Sequence, residues 1–278
     1  MGNIDKNIIQ LKEFNSLDLQ RVQNEVIQIT TTKTDELLEQ YKKQTSSHNG
    51  RYINSDLMKM VFEVYAESQE NRGKYNLAVT NSAACLTNEF YVRTIKNKDF
   101  KRCIYVAGPY GAGKSFFIQS LFLTGVIPDN TIVYEGSITA PAFGKKVELA
   151  MKNNVETEII ILNPTLELSL SNIRERKKET GRDVIKSEVV EKYADMYSNI
   201  EKLFAYLNNN SSLELKTGKY PIAFQIYNKS SNVPEDLSVS YDIHDLQHGT
   251  RQEISEKYDL IIKQLDKHSM EKDDERTF

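Results

Sequence analysis

Tryptophan is missing altogether, and only two cysteines occur in 278 residues. Cys85 and Cys103 lie too far apart for a CxxC pair and too few in number for a thiolate cluster. That excludes a dithiol redox centre and a structural zinc knot, and fits a reducing compartment. Histidine is nearly as scarce, with His48, His244, His248 and His268 alone. His244 and His248 are four apart, but no third ligand stands near them, so they read as loop surface rather than as a metal site. No apolar run approaches the ~18 residues that a membrane helix requires. A basic excess is also lacking: 36 Lys and Arg stand against 39 Asp and Glu, a formal net charge of -3. A protein that tracks a polyanionic backbone usually carries the opposite balance, so nucleic acid is disfavoured as a partner. The first residues, Met1 to Lys6, open a stretch broken by charge every few positions, which is no export signal. Lys6 stands where myristoylation wants Ser or Thr. The expectation is a cytoplasmic protein without a membrane segment.

Helical periodicity dominates the first hundred residues. Ile8, Leu11, Phe14 and Leu17 recur at helical spacing, as do Val22, Val26 and Ile29, with Thr30-Thr31-Thr32 as an interruption. Residues 44–50 (QTSSHNG) predict a loop. Asp56 to Ala66 predicts an amphipathic helix, and Asn81 to Ile95 another. Short apolar runs then alternate with helical patterns. Strands are predicted at 103–107, 131–134, 158–162 and 221–227, and helices at 115–123, 143–152 and 166–178. One long helix is predicted through Val189, Tyr193, Met196, Ile200, Leu203 and Leu207, and a last one starts at the capping box Thr250/Glu253. Strands alternating with helices mean a parallel sheet between helical layers. The predicted organisation is an α/β fold: a helical N-terminal module at 1–98, a P-loop NTPase core at 99–268, and a charged, disordered tail at 269–278.

The most specific feature runs from Gly108 to Ser115 (GPYGAGKS), which satisfies G-x-x-x-x-G-K-[ST] with a strand before it and a helix after it. Gly108, Gly111, Ala112 and Gly113 let the backbone turn its N–H groups inward onto phosphate oxygens. The helix beginning at Lys114 adds the positive end of its dipole. Lys114 is expected to reach the β- and γ-phosphates, and the Ser115 hydroxyl to ligate Mg²⁺. ATP or GTP with Mg²⁺ is therefore the expected ligand. A kinase also needs a group to take the proton from an acceptor hydroxyl, near the carboxyl end of a strand beside the phosphate loop. Glu135 closes the strand that follows the Walker helix and is the candidate. Between Arg174 and Lys186, six basic residues stand against three acidic ones, a local excess inside an acidic chain. Guanidinium groups there would stabilise the charge of phosphoryl transfer.

These residues resemble the zeta-toxin family of P-loop kinases, which phosphorylate UDP-N-acetylglucosamine. The resemblance covers Arg102 to Asn228. It implies that Glu135 is the general base, with a share in holding a magnesium-bound water, although the family normally carries Asp. It further implies that Arg176 and Arg182 are lid arginines, with Gly181 supplying the bend. Gly50 to Leu57 (GRYINSDL), Lys74-Tyr75-Asn76 and Asn81 to Ala84 are similar to a block preceding the Walker motif in a subgroup of that family. Asn54, Asp56, Asn76, Asn81 and Asn88 are polar within otherwise helical surroundings. They read either as acceptor contacts or, more simply, as helix caps and interhelical hydrogen bonds. The expected activity is transfer of the γ-phosphate to a hydroxyl of a small polar metabolite, with a UDP-sugar as the implied acceptor. Two alternatives stay open. One is a polynucleotide or nucleoside kinase. The other is a nucleotide-gated interaction protein whose N-terminal helices hold a partner such as an antitoxin.

Overall fold

A computed structural model describes residues 2–138, 142–181, 184–210, 222–231 and 237–275. The fold is α/β, built on one mixed, mostly parallel sheet of six strands in the order β1-β3-β2-β4-β5-β6. The strands are β1 (Tyr52–Ile53), β2 (Arg102–Ala107), β3 (Thr131–Glu135), β4 (Glu156–Pro164), β5 (Ala223–Lys229) and β6 (Leu237–Ser240). The first five run parallel, and β6 closes the sheet antiparallel to β5. β2 therefore lies inside the sheet, between β3 and β4, and helices cover it on both faces.

That double burial explains why β2 and β4 are apolar without interruption. Alternate residues serve opposite faces. Cys103, Tyr105, Ala107, Ile159 and Ile161 join the largest cluster, with α5 (Gln69–Lys96), α7 (Ala142–Lys152) and α10 (Met196–Asn210). Ile104, Val106, Ile160 and Leu162 point the other way, towards Ile118 of α6 (Lys114–Leu123). A third cluster ties α8 (Leu166–Thr180), α9 (Lys186–Ala194) and α11 (Arg251–Glu275) together through Leu170, Val189, Tyr193, Ile254 and Ile261.

The N-terminal hundred residues do more than add helices. They supply β1, which pairs with β3 in the register Tyr52 to Val133 and Ile53 to Tyr134. Leu86, Phe90 and Tyr91 of α5 are buried in the same cluster as β2 and β4, each worth ~1.5–3 kcal/mol of transfer free energy. The stretches 1–98 and 99–268 thus share one hydrophobic interior.

Several elements differ from their predicted forms. Residues 9–15 are not helical, because the Gln23 side chain bonds both the amide and the carbonyl of Lys12, at 2.9 Å each, and holds that stretch across α1 (Leu17–Thr32). The three threonines do not interrupt α1 but close it: Thr31 Oγ1 donates to Ile27 O at 3.0 Å, and Thr32 Oγ1 to Gln28 O at 2.8 Å. Such back-bonding satisfies the hydroxyls inside a helix. A second helix, α2 (Thr34–Lys43), follows directly. The segment from Asp56 breaks into α3 (Ser55–Met58), a 3-10 turn and α4 (Glu63–Ala66), since Phe62 turns extended to bury its ring. The long helix predicted through Val189 and Leu207 is two, α9 and α10, parted at Asp195. The last helix continues to Glu275, past the expected boundary at 268, in a run of Glu, Asp and Lys; β6 was not foreseen.

Candidate functional site

At the carboxyl end of β2 the chain turns sharply from Gly108 to Gly113 and enters α6 at Lys114. Two glycines are required by their surroundings. Gly108 has φ 152°, and a Cβ there would sit 2.5 Å from Leu162 O; Gly111 has φ 74°, and its Cβ would sit 2.3 Å from Ser169 O. The loop therefore lies against the end of β4 and the first turns of α8 with no room for a side chain. Asn172 of α8 fastens it from outside, its Nδ2 donating to Gly111 O at 2.8 Å. Ala112 is buried beneath the loop, and Gly113 is the N-cap of α6.

Lys114 bends back over this loop, and its ammonium donates to Gly108 O at 3.1 Å and Pro109 O at 3.0 Å. An ammonium has three donors, so one remains for a ligand. Burial pulls the Lys114 pKa down from its ordinary value; Glu135 and Asp56 act against that, and Arg176 and Lys192 reinforce it.

Ser115, the second residue of α6, donates from Oγ to Glu135 Oε2 at 3.0 Å. The same carboxylate oxygen accepts a short hydrogen bond from the Tyr52 hydroxyl. Tyr52 is held in turn by Asn54, whose Nδ2 donates to its oxygen at 3.1 Å, and by Tyr41, whose hydroxyl donates to its carbonyl at 2.6 Å. Burial first, and then the neighbouring Glu135, raise the Tyr52 pKa far above the phenol range, so Tyr52 stays a donor.

A cleft of about 440 Å³ opens over the loop, bordered by Lys114, Ser115, Glu135, Arg176 and Lys229 among others. Of the site residues predicted from sequence, the structure brings Gly108, Gly111, Ala112, Gly113, Lys114, Ser115, Glu135 and Arg176 together. Arg182 lies outside the described residues. Gly181 ends α8 in a left-handed turn (φ 70°), its amide donating to Lys177 O at 2.9 Å.

Three contributors are not specified by the motif. Lys229 closes β5, with its Nζ 3.7 Å from where a Gly113 Cβ would lie, and burial lowers its pKa. A basic residue directly after the fourth predicted strand was its available signal. Tyr52 belongs to a two-residue strand too short for periodicity to reveal. Tyr110, inside the loop itself, is half-buried; burial first, with the Glu188 carboxylate of α9, pushes its pKa up to about 12.

A second cleft of about 420 Å³ adjoins the first, with Lys229 bordering both. Here His248 differs from its expected surface position. It packs edge-on against Tyr193, with ring centroids 5.1 Å apart, and its Nε2 lies 2.7 Å from Asn163 Oδ1. Asn163 Nδ2 already donates to Asn228 Oδ1 at 2.6 Å and to Asp245 O at 3.0 Å, which leaves its Oδ1 to accept from the imidazole. Burial, with Lys257 behind it, lowers the His248 pKa. His244 stacks on Tyr197 instead, so the two histidines share no ligand.

The polar residues of the N-terminal block divide as the simpler reading expects. Asn54 caps α3, accepting from Leu57 N at 2.8 Å; Asn76 accepts from Lys59 Nζ at 2.8 Å; and Asn81 donates to Gln10 O at 2.7 Å. Asp56 likewise pairs within its own helical stretch, its Oδ1 3.1 Å from Lys59 Nζ. Among the described residues no cluster of three or more His, Cys, Asp or Glu is placed to hold a metal, and no helix is long and apolar enough to cross a membrane. No protein-family model matches the chain, and no curated protein matches it either.

Proposed function

We propose that the chain is a P-loop kinase that moves the γ-phosphoryl group of a nucleoside triphosphate to a hydroxyl of a small polar acceptor. The observation that carries this reading is the pairing of Ser115 with Glu135 at 3.0 Å beside the glycine loop at the end of an interior parallel strand. Ligands of open parallel sheets bind outside the carboxyl ends of the strands. A hydroxyl and a carboxylate there form a hard-oxygen set that suits Mg²⁺, which takes few protein ligands and keeps its waters and phosphate oxygens. Ser115 and Glu135 would hold that ion, and its chemistry would be to neutralise charge on the phosphates.

The chain's own groups supply the rest. Backbone amides of residues 111–115, at the start of α6, face the phosphates. Lys114 offers its remaining N–H to the transferred group. Arg176 and Lys229 add positive charge from the lining of the cleft, where guanidinium and ammonium groups stabilise the spread charge of a phosphoryl transition state. Lys229 borders both clefts, so a triphosphate laid along the loop would direct its nucleoside towards Asn163 and His248.

A small acceptor is favoured over a polynucleotide because the basic residues gather at the transferred phosphate, while the chain as a whole carries a net charge of -3. A UDP-sugar is the acceptor that the zeta-toxin resemblance suggests. The test is transfer from γ-labelled ATP and GTP to UDP-sugars and to DNA and RNA 5′-ends, at low and moderate salt. Labelling of a small hydroxyl acceptor with a shallow salt dependence is expected. A polynucleotide acceptor would show a slope near one unit of log K per phosphate neutralised, and labelling of polynucleotide ends alone would refute the reading.

A further inference from the structure

We propose that the second cleft, at the carboxyl ends of β4 and β5, takes the purine base of the donor nucleotide, and that His248 reads the base through an acceptor nitrogen. This rests on the kinase reading above and names the residues that would hold the nucleoside within it.

A chain of hydrogen bonds fixes which nitrogen that is. Asn163 and Asn228 face each other in the register of β4 with β5. Asn163 Nδ2 reaches the backbone carbonyl of Asp245 at 3.0 Å, and a carbonyl can only accept. That contact fixes the amide, so the atom 2.7 Å from His248 Nε2 is Asn163 Oδ1, itself an acceptor. The Nε2 must then carry the proton. Asn228 follows the same logic. Its Nδ2 lies 3.2 Å from a carboxylate oxygen of Asp245, which leaves its Oδ1 to accept from Asn163 at 2.6 Å. His248 is neutral at pH 7, because burial first, and then Lys257, hold its pKa below the ordinary 6.5. A neutral imidazole protonated at Nε2 has a bare lone pair at Nδ1, and none of the described residues bonds it. An acceptor held in place calls for an N–H. The amino group of adenine or the N–H edge of guanine supplies one.

The surroundings suit a flat aromatic ligand. Leu166, Tyr193 and Ile254 give the cleft an apolar lining. The Tyr193 hydroxyl meets Thr165 O at 3.2 Å, and its ring packs edge-on against His248, so both rings are set before a ligand arrives. A volume of about 420 Å³ with a few placed polar groups is the usual form of a small-molecule site. Glu167 and Lys257, of opposite charge, both line the cleft, so it makes little demand for a further phosphate.

Lys229 links this cleft to the phosphate loop. It follows Asn228 in β5, lines both clefts, and places its Nζ 3.7 Å from where a Gly113 Cβ would lie. β5 stands two strands from β2, with β4 between them, which is about 10 Å. A triphosphate chain covers that distance. The phosphates would end, and the nucleoside begin, at the Lys229 ammonium.

The experiment measures binding of Mg-ATP, Mg-GTP and Mg-tripolyphosphate by calorimetry to wild type, His248→Phe and Ser238→Trp, with thermal melting on the same samples. Tripolyphosphate keeps the phosphates and lacks the nucleoside. His248→Phe keeps an aromatic ring beside Tyr193 and removes the lone pair. Ser238 is exposed on the edge strand β6 and lines the cleft, so a tryptophan there would fill it. It would also be the chain's sole tryptophan and report occupancy by fluorescence. Wild type is expected to bind at least one of the two nucleotides more tightly than tripolyphosphate. His248→Phe is expected to weaken that nucleotide ~3–10-fold, the range for one lost hydrogen bond, and Ser238→Trp to weaken it further. Both variants are expected to hold tripolyphosphate within about twofold of wild type. Unchanged nucleotide affinity in a folded His248→Phe overturns the role of His248, and in a folded Ser238→Trp it overturns the whole assignment, while the kinase reading stands. An equal loss of tripolyphosphate overturns it too, by making the cleft a phosphate site, as does wild type binding neither nucleotide better than tripolyphosphate. Should His248→Phe fail to fold, Ser238→Trp decides, because its position is exposed. Wild type that binds no nucleotide and no tripolyphosphate refutes the kinase reading, and this assignment with it.

Discussion

Replacing Gly111 by alanine separates two costs that the loop imposes. Gly111 has φ 74°, a left-handed conformation that costs an alanine ~1–2 kcal/mol. The new Cβ would also lie 2.3 Å from Ser169 O, far inside contact distance. Helix α8 cannot easily give way there. Ser169 N bonds Thr165 O at 3.1 Å, Thr165 caps the helix through Leu168 N at 3.3 Å, and the Tyr193 hydroxyl makes a short bond to Ser169 Oγ. So the loop must move, stretching the 2.8 Å bond from Asn172 to Gly111 O, a loss of ~0.5–1.5 kcal/mol. With ~1 kcal/mol or more for the overlap itself, the total is about 3–5 kcal/mol. At ~2–4 °C per kcal/mol for a chain of this size, melting should fall by roughly 6–20 °C. Gly125→Ala is the control: Gly125 has φ 68° but nothing within 4 Å of its Cβ position, so it bears the conformational cost alone. Thermal melting of both variants, with Mg-ATP titration of Gly111→Ala, gives the comparison. Equal melting temperatures for the two would refute the claim that the loop is clamped against α8.

Lys114→Ala is expected to keep the wild-type melting temperature within a few degrees and to lose Mg-ATP affinity; calorimetry that finds the affinity unchanged in the folded variant would overturn the phosphate cradle. Arg176→Ala should lower the rate of transfer more than it lowers nucleotide affinity, and single-turnover kinetics read the two separately. A third expectation concerns acid stability. Lys74 at 2.7 Å, Arg21 at 2.9 Å and Tyr75 at 3.0 Å hold Asp18 at a pKa of about 2, below its ordinary 3.8. A depressed carboxylate pKa stabilises the fold above pH 3.8, and that contribution disappears as pH falls towards 2. Melting curves between pH 5 and pH 2 should therefore converge for wild type and Asp18→Asn at the acid end, with wild type the more stable above pH 4.

The interior of the sheet was readable because its signal is local. β2 and β4 are unbroken apolar runs, the glycine motif sits between a strand and a helix, and Thr250 with Glu253 closes the box that the pair predicts, with Thr250 N donating to Glu253 Oε2 at 2.7 Å. Periodicity failed where a side chain reached across the chain to impose another shape. Gln23 holds Lys12 out of a helix, and the buried Phe62 ring breaks the segment after Asp56 into short turns. Neither partner is visible in a window of neighbouring residues. β1 failed for a different reason: two residues carry no period, and their pairing with β3 spans eighty positions.

The same difficulty hid half of the site. A motif reports residues that one turn of chain brings together, and the glycine loop with Lys114 and Ser115 is such a unit. Tyr52 of β1 and Lys229 at the end of β5 reach it through the sheet, from two different strands. In a parallel sheet all those ends lie on one side, so chain order says little about which residues meet there. The N-terminal segment has a physical role: it encloses the sheet with α5 and brings the Tyr52 hydroxyl to Glu135. Removing residues 1–60 would then take away β1 and Tyr52 together, and expose Val133 and Tyr134 along the bared edge of β3.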